Sequence, residues 1–372
     1  MISRVKFENF KALQAVAIDL DPITVLVGAN ATGKTSVLQG LDVFTRISID
    51  RQLTWLVNGP FSDYMRTLGA AGDVAIGVTG DVAAELRVTP RSTDDSADLD
   101  LTLTLGDEKV TRKGGTADEW IAIGKGLKSA GLGTAVRLRL DPQRLSAPSY
   151  VDDVQPRVAS DGHGLASVLA AARGEQSDAI AQIEDGLRCI VPLARKLRIL
   201  PARVKRNERE YITINGKPIE NSVERTYIGQ RFELEIEGVG AVPADMLSEG
   251  TLLVLGLLTV LYTTPGLQLL LLDDIERGLH PNAQRDVIRN LRTVVADDPR
   301  LQIVCTTHSP YSLDGFDPGG VRVLQLDARG RARCKALTDH PDWPRWRDYM
   351  NPGEFWSSVG EDWIFGERDG RV

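Results

Sequence analysis

Residues 28–35 read GANATGKT, which is the spacing of a phosphate-binding loop. Glycines let such a loop wrap closely enough for backbone N–H groups to face phosphate oxygens, and the helix that follows turns its positive end toward the same anion. The lysine reaches the β- and γ-phosphates, and the next hydroxyl ligates Mg²⁺. A chance match in a chain with 35 glycines is the alternative, but an apolar strand before the loop and an amphipathic helix after it favour phosphate binding. The predicted nucleotide-binding residues are Gly28, Asn30, Thr32, Gly33, Lys34, Thr35 and Ser36, with Lys34 also predicted to act in catalysis.

Two adjacent carboxylates follow an apolar run at residues 269–272. Asp273 is predicted to hold Mg²⁺ together with Thr35, because this hard cation takes oxygen ligands. Asp274 is predicted to polarise the attacking water. A buried strand followed by an acidic turn is the purely structural alternative.

Two further segments could contact a nucleotide. Ser248 and Gly250 precede an apolar helix, where Ser248 suits the N-cap. That helix end either has only this capping role or binds the γ-phosphate of ATP held by another subunit. His308 follows the apolar run at 303–306, and a neutral imidazole there would hydrogen-bond the γ-phosphate and the water. A polar loop histidine is the alternative.

The order of these motifs resembles that of ABC-type ATPases of the SMC/RecF-like branch, which includes the ATPase halves of OLD-family nucleases. The sequences NFK at 9–11, LSEGT at 247–251 and IERGLHP at 275–281 add to the resemblance. It implies an α/β P-loop NTPase fold, an ABC ATPase head with a mixed sheet core, an antiparallel β portion from the N-terminal strands and about 74–140, and a helical lobe. It also implies ATP and Mg²⁺ as ligands, and a homodimer in which Ser248 and Gly250 sense ATP across the interface.

The resemblance has one departure and one open assignment. Members of the branch usually carry Glu directly after the first acid, where this chain has Asp274, one methylene shorter. Either hydrolysis is slow and the protein is an ATP-gated regulatory scaffold, or Glu276 supplies the base. Gln143 follows the predicted strand 136–140 and is either the Q-loop residue or a solvated glutamine. No acidic cluster of the Toprim nuclease type follows His308.

The elements that position these residues can be predicted from periodicity and turn residues. The expected domains are a discontinuous core at 1–144 and 203–338, a helical lobe at 145–202, and a Trp-rich segment at 339–372. Predicted strands are 16–20, 23–27, several antiparallel ones between 74 and 113 with a polar loop at 92–96, then 203–237 with a turn at Asn215–Gly216, 267–272, 301–306, 321–326 and 332–337. Predicted helices follow the P-loop, span 162–190, follow Gly250 and span 282–295.

Composition limits the class of protein. Of the 372 residues, 42% are hydrophobic and 26% charged, as in a globular protein, and the net charge of −7 excludes a basic nucleic-acid coat. Three cysteines without a CxxC pattern fit a reducing, cytoplasmic location. The apolar stretch from Leu252 to Leu272 is interrupted by Thr-Thr-Pro-Gly, so no membrane association is predicted.

Two surfaces are candidates for binding partners. The basic strip, Arg195 to Arg209, is either a track for a DNA or RNA backbone or a solvated edge whose cations are paired with nearby acids. The C-terminal segment, residues 339–372, holds four of the six tryptophans and either docks an effector protein or packs on its own core. The predicted function is Mg²⁺-dependent ATP hydrolysis coupled to head-to-head dimerisation, acting on a partner or a nucleic acid in defence or genome maintenance.

Overall fold

The computed structural model describes residues 1–49, 73–81, 83–90, 99–111, 134–175, 177–214 and 217–365. The strands are β1 (Ile2–Phe10), β2 (Leu13–Asp19), β3 (Ile23–Val27), β4 (Val74–Gly80), β5 (Ala84–Pro90), β6 (Leu99–Leu105), β7 (Glu108–Thr111), β8 (Thr134–Leu138), β9 (Ala194–Ile214), β10 (Lys217–Ile236), β11 (Gly240–Pro243), β12 (Leu267–Leu272), β13 (Gln302–Thr306), β14 (Val321–Leu326) and β15 (Ala332–Ala336). The α-helices are α1 (Lys34–Ile49), α2 (Pro142–Ser146), α3 (Leu165–Glu175), α4 (Ser177–Ile190), α5 (Glu249–Thr263), α6 (Pro281–Asp297), α7 (Pro310–Leu313), α8 (Trp343–Trp346) and α9 (Pro352–Val359).

The sheet that carries the P-loop has the order β15-β14-β3-β13-β12-β8. Strands β14, β3, β13 and β12 run parallel, and β15 is antiparallel to β14. The apolar runs of β3 and β12 are buried, as expected for strands covered on both faces, and both strands have the predicted bounds. Because parallel strands end at the same edge, the residues that follow β3, β12 and β13 meet there.

An antiparallel sheet supports the helix that follows the P-loop. Its order is β2-β1-β4-β5-β6-β7, and β1 buries Ile2, Val5, Phe7 and Phe10 in the core, with a register shift between Ile2 and Arg4. The apolar face of α1 packs into the same core, as predicted. Strand β8, predicted within this antiparallel portion, instead joins the P-loop sheet. The predicted polar loop at 92–96 lies outside the described residues.

A long β-ribbon packs on the helices α3 and α4. Strands β9 and β10 pair antiparallel from Ile236 and Ala194 to Lys217 and Ile214, with one register shift after Glu235, and β11 pairs with the end of β10. The backbone N–H of Leu197 donates to Glu184 Oε1 at 2.8 Å, which ties the ribbon to α4. The helical lobe was predicted to continue to residue 202, but β9 begins at Ala194. The predicted turn at 215–216 lies outside the described residues.

The chain divides into two compact units. One comprises residues 1–137, 266–277 and 284–372, and the other comprises 138–265 and 278–283. This division differs from the predicted one, because the ribbon and α5 group with the helices, and the C-terminal segment groups with the P-loop sheet.

Helix α5 is apolar nearly all round and is buried from Thr251 to Val260. It ends at Thr263, just before Pro265, so the predicted interruption of the apolar stretch is confirmed. In the described part of the chain, no helix combines the length and the apolar character needed to cross a membrane.

Candidate nucleotide site

The P-loop has a backbone that its sequence requires. Gly28 and Gly33 have φ angles of 138° and 100°, which side-chain-bearing residues rarely adopt. A Cβ on Gly28 would lie 2.1 Å from the carbonyl oxygen of Leu324 on β14. The Thr32 hydroxyl closes the turn by donating to the Ala29 carbonyl at 2.9 Å. The loop is thus held open as a cradle between β3 and α1.

The Lys34 amine lies inside this cradle. It donates to the carbonyl oxygens of Gly28 and Ala29 at 2.8 Å each, and the residue is only 5% exposed. Burial lowers the pKa of the amine, and the carboxylates of Asp274 and Glu361 oppose that shift. The two carbonyl contacts are ones that phosphate oxygens can replace, which suits the predicted role of Lys34. Asn30 is exposed at the loop tip, and Ser36 is half-buried in the first turn of α1.

The predicted cation ligands come together although 238 residues separate them. Thr35 Oγ1 donates to Asp273 Oδ1 at 3.0 Å. Thr306, at the end of β13, places its hydroxyl 3.1 Å from the same carboxylate oxygen. A carboxylate beside a hydroxyl at a helix N-terminus is a hard-oxygen donor set, so these residues fit Mg²⁺.

Arg137, on β8, contacts the other oxygen of this carboxylate. Its Nη2 lies 3.3 Å from Asp273 Oδ2, and the two side chains are 18% and 2% exposed. Its Nε is buried and has no hydrogen-bond partner among the described residues. Arg137 was not predicted as a site residue, although a cation inside a short, mostly apolar strand is a signal that could have drawn attention to it.

Asp274 has an unusual backbone. Its φ of 57° is left-handed, which is uncommon for any residue except glycine, although Asp tolerates it better than most. Its N–H donates to Thr306 Oγ1 at 2.8 Å, and its Oδ1 lies 3.4 Å from the same hydroxyl. Thr306, which was not predicted, therefore fixes both neighbouring carboxylates.

Glu276 and His308 are joined through the loop that follows β13. Glu276 Oε1 accepts from the His308 backbone N–H at 2.8 Å, and Oε2 accepts from Thr307 Oγ1 at 2.7 Å. The His308 side chain is exposed. Its imidazole is thus free to face a ligand, while its backbone is held.

The remaining predicted site residues belong to the second unit. Ser248 is the N-cap of α5, where its Oγ accepts from the Thr251 N–H at 3.2 Å. A Cβ on Gly250 would come within 2.8 Å of the carbonyl of Gly278, which belongs to the same unit. Gln143 is exposed on the short helix α2, and its backbone N–H donates to Asp141 Oδ1 at 2.9 Å. These contacts are local, and the nucleotide roles of Ser248, Gly250 and Gln143 stay predictions.

Comparison with known proteins places this site in a family. The family model described as "AAA domain, putative AbiEii toxin, Type IV TA system" matches residues 23–314. The chain belongs to this AAA-domain family. The match spans the P-loop, both carboxylates of the β12 end and His308, so the predicted resemblance to ABC and SMC-like ATPases is confirmed.

The fold of this AAA-domain protein is also that of solved SMC heads. A head bound to the C-winged helix domain of ScpA has a TM-score of 0.62 and 13% identity, and the match covers 90% of this chain and 97% of that one. A head with an extended coiled coil, bound to the C-terminal domain of ScpA from Pyrococcus furiosus, has a TM-score of 0.58 and 12% identity, with coverage of 93% and 98%. At these identities the likeness shows the fold, which is the predicted P-loop NTPase head.

The basic strip of this AAA-domain protein is partly neutralised by acids on and just after the opposite strand. Arg198 pairs with Glu235 at 2.9 Å, and Lys205 pairs with Glu224 at 2.7 Å. Arg195 also pairs with an acid, Glu237. Three of its cations form no ion pair with a described carboxylate, and their side chains alternate between the two faces of the ribbon: Lys196, Arg203 and Arg206.

The C-terminal segment packs on its own core through residue 365, and residues 366–372 lie outside the described part. Trp343 and Phe355 are buried, and their rings are in edge contact at 5.0 Å. The Gly353 N–H donates to Asp314 Oδ1 at 3.0 Å, which fixes α9 beside α7. Trp346 and Tyr349 remain 39% and 82% exposed.

Proposed function

We propose that this chain is a Mg²⁺-dependent ATPase whose site is formed by the P-loop and the ends of β12 and β13. The observation that carries the proposal is the Thr35–Asp273 hydrogen bond, at 3.0 Å, beside a buried Lys34. A phosphate cradle and a hard-oxygen pair thereby occur at one sheet edge, which is the arrangement that phosphoryl transfer requires.

Each residue has a distinct role in this proposal. The P-loop N–H groups and Lys34 bind the phosphates, and Thr35 with Asp273 would hold the cation. When bound, Mg²⁺ neutralises negative charge on the β- and γ-phosphates. Asp274 accepts a proton from the water as the water oxygen attacks the γ-phosphorus and ADP leaves. His308 hydrogen-bonds the γ-phosphate.

The backbone of Asp274 supports its assignment as the base. A left-handed residue other than glycine costs about 1–3 kcal/mol and persists where its surroundings impose it. Here Thr306 imposes it through the 2.8 Å hydrogen bond to the Asp274 N–H. The left-handed turn holds the Asp274 carboxylate at the sheet edge where Lys34 also lies. The backbone conformation therefore compensates for the short side chain.

We further propose that ATP joins two such heads. Ser248 and Gly250 lie at the start of α5, whose N–H groups and positive end suit a γ-phosphate presented by a second subunit. Sedimentation without nucleotide, with ADP and with ATP tests this step. A dimer only with ATP is expected, and Ser248→Arg should abolish it, whereas an unchanged monomer under all three conditions would contradict it.

The ATPase proposal is tested by phosphate release with Mg²⁺, with EDTA and in Lys34→Ala. Turnover is expected only for the wild type with Mg²⁺, because Lys34 and the cation both stabilise the transferring phosphoryl group. Equal rates in wild type and Lys34→Ala would assign the activity to a contaminant.

An ATP-gated scaffold with negligible hydrolysis is the second candidate. Asp274 favours it, because a carboxylate misplaced by about 1 Å can cost about 100-fold in rate. ATP-dependent dimerisation with turnover no faster than that of Asp274→Asn would select the scaffold over the enzyme.

Two partner proposals follow from the remaining surfaces. The exposed patch of Trp346 and Tyr349 is proposed to contact an effector protein, as solved SMC heads are bound to ScpA. Arg203 is proposed to contact a DNA or RNA backbone, and salt-dependent binding that weakens in Arg203→Glu would support it. The family description names a type IV toxin–antitoxin system, and we extend this to a defence role for the chain.

A further inference from the structure

A carboxylate bridge links the turn after β12 to the loop after β13. We define the Glu276 bridge as the two hydrogen bonds that this carboxylate accepts, at Oε1 from the His308 N–H at 2.8 Å and at Oε2 from Thr307 Oγ1 at 2.7 Å. Backbone hydrogen bonds also fix the turn itself, with the Ile275 N–H on the Thr306 carbonyl at 3.1 Å. The bridge therefore joins two rigidly held segments.

The loop after β13 also makes hydrogen bonds to β3 and within itself. The Thr307 N–H donates to the Leu26 carbonyl at 3.2 Å, so β3 holds one edge of the loop. The Ser309 N–H donates to Thr307 Oγ1 at 3.1 Å, which tightens the turn around His308. Thr307 is fully buried, whereas the His308 side chain is exposed. The imidazole thus projects from a backbone that is held on both sides.

Both oxygens of Glu276 are engaged in this way, one by a backbone donor and one by a hydroxyl. A general base must instead direct an oxygen toward water. We propose that Glu276 is a positioning residue that orients His308 toward the γ-phosphate, and that it does not supply the base. This inference rests on the proposed ATPase function, and it leaves proton transfer to Asp274.

A double-mutant cycle in the full chain tests the inference. Glu276→Met keeps about the length of the side chain but has no acceptor oxygen, so both hydrogen bonds of the bridge are lost. It is expected to lower kcat about tenfold and to change KM by less than about twofold. In a His308→Ala background the same substitution should change kcat by less than about twofold, because nothing remains to be positioned. Multiplicative losses in the double variant would overturn the proposal.

The hydroxyl of Thr307 supplies a matched pair of variants. Thr307→Ser keeps the donor to Glu276, and Thr307→Val removes it at nearly the same size. Thr307→Val should lower kcat more than Thr307→Ser, and this difference should become smaller in Glu276→Met, where the hydroxyl keeps only its bond from the Ser309 N–H. An undiminished difference without Glu276 would contradict the bridge.

Histidine NMR gives a measurement that does not depend on turnover. The chain has four histidines, so the His308 signal is assigned by its loss in His308→Ala. Glu276→Met is expected to shift or broaden that signal and to leave those of His163 and His340 in place. An unchanged His308 signal would overturn the inference. A shifted signal in a protein without turnover would refute the ATPase function and leave the bridge standing.

Discussion

Removal of the Arg137 charge should destabilise the protein by an amount that Mg²⁺ can restore. The guanidinium faces Asp273 across 3.3 Å, and the carboxylate is 2% exposed. Taking away one partner of a buried ion pair costs about 3–5 kcal/mol. Loss of the unpartnered Nε returns about 1–3 kcal/mol, because its desolvation penalty disappears. Arg137→Met should therefore lower the free energy of unfolding by about 2 kcal/mol in EDTA.

Urea unfolding followed by tryptophan fluorescence measures this loss. Mg²⁺ with ADP should stabilise Arg137→Met more than the wild type, because the cation no longer competes with a guanidinium for Asp273. Arg139→Met, at an exposed arginine two positions further along, is the matched control and should unfold like the wild type. Equal unfolding of Arg137→Met and wild type in EDTA, or equal stabilisation by Mg²⁺ and ADP, would refute the reasoning.

Three further outcomes are expected. Asp274→Asn should abolish steady-state turnover and leave binding of a fluorescent ATP analogue intact, and full turnover would reject Asp274 as the base. Gly28→Ala should lose nucleotide binding, since its Cβ would lie 2.1 Å from the Leu324 carbonyl, whereas Gly330→Ala, at a φ of 71° with open space around it, should bind normally. Burial lowers the pKa of His340 from 6.5. The unfolded chain then takes up the proton first, so stability is present above about pH 6.5 and is lost as pH falls toward the folded pKa. The urea midpoint of wild type should fall between about pH 7 and pH 5 more than that of His340→Gln, and parallel curves would contradict this.

The catalytic edge could be predicted from sequence because its strands are buried on both faces. The mostly apolar runs at 23–27 and 267–272 are best buried as strands covered on both faces of a sheet. The residue types that follow these strands predict phosphate and cation binding. The start of β9 was missed, although Lys196, Leu197 and Arg198 alternate between exposed and buried as a half-buried strand does.

The contacts of single side chains could not be predicted, since they depend on tertiary neighbours. Arg137 meets Asp273 across 136 positions, and Thr306 touches it across 33. No local pattern specifies either pairing. The same holds for the tryptophans of the C-terminal segment, because composition does not distinguish a ring such as Trp343, which packs on its own core, from Trp346, which stays exposed.

The position of β3 has a consequence for biosynthesis. Ile23 pairs with Ile303 and Val25 with Val321, so both neighbours of this apolar strand are made far later. At about 5–20 residues per second, β3 waits roughly 15–60 s on the ribosome with both edges unpaired. An unpaired apolar strand is a template for aggregation. The nascent chain should therefore need a chaperone over this interval. Bound ATP can stabilise β3 and its P-loop only after β13 has paired with β3.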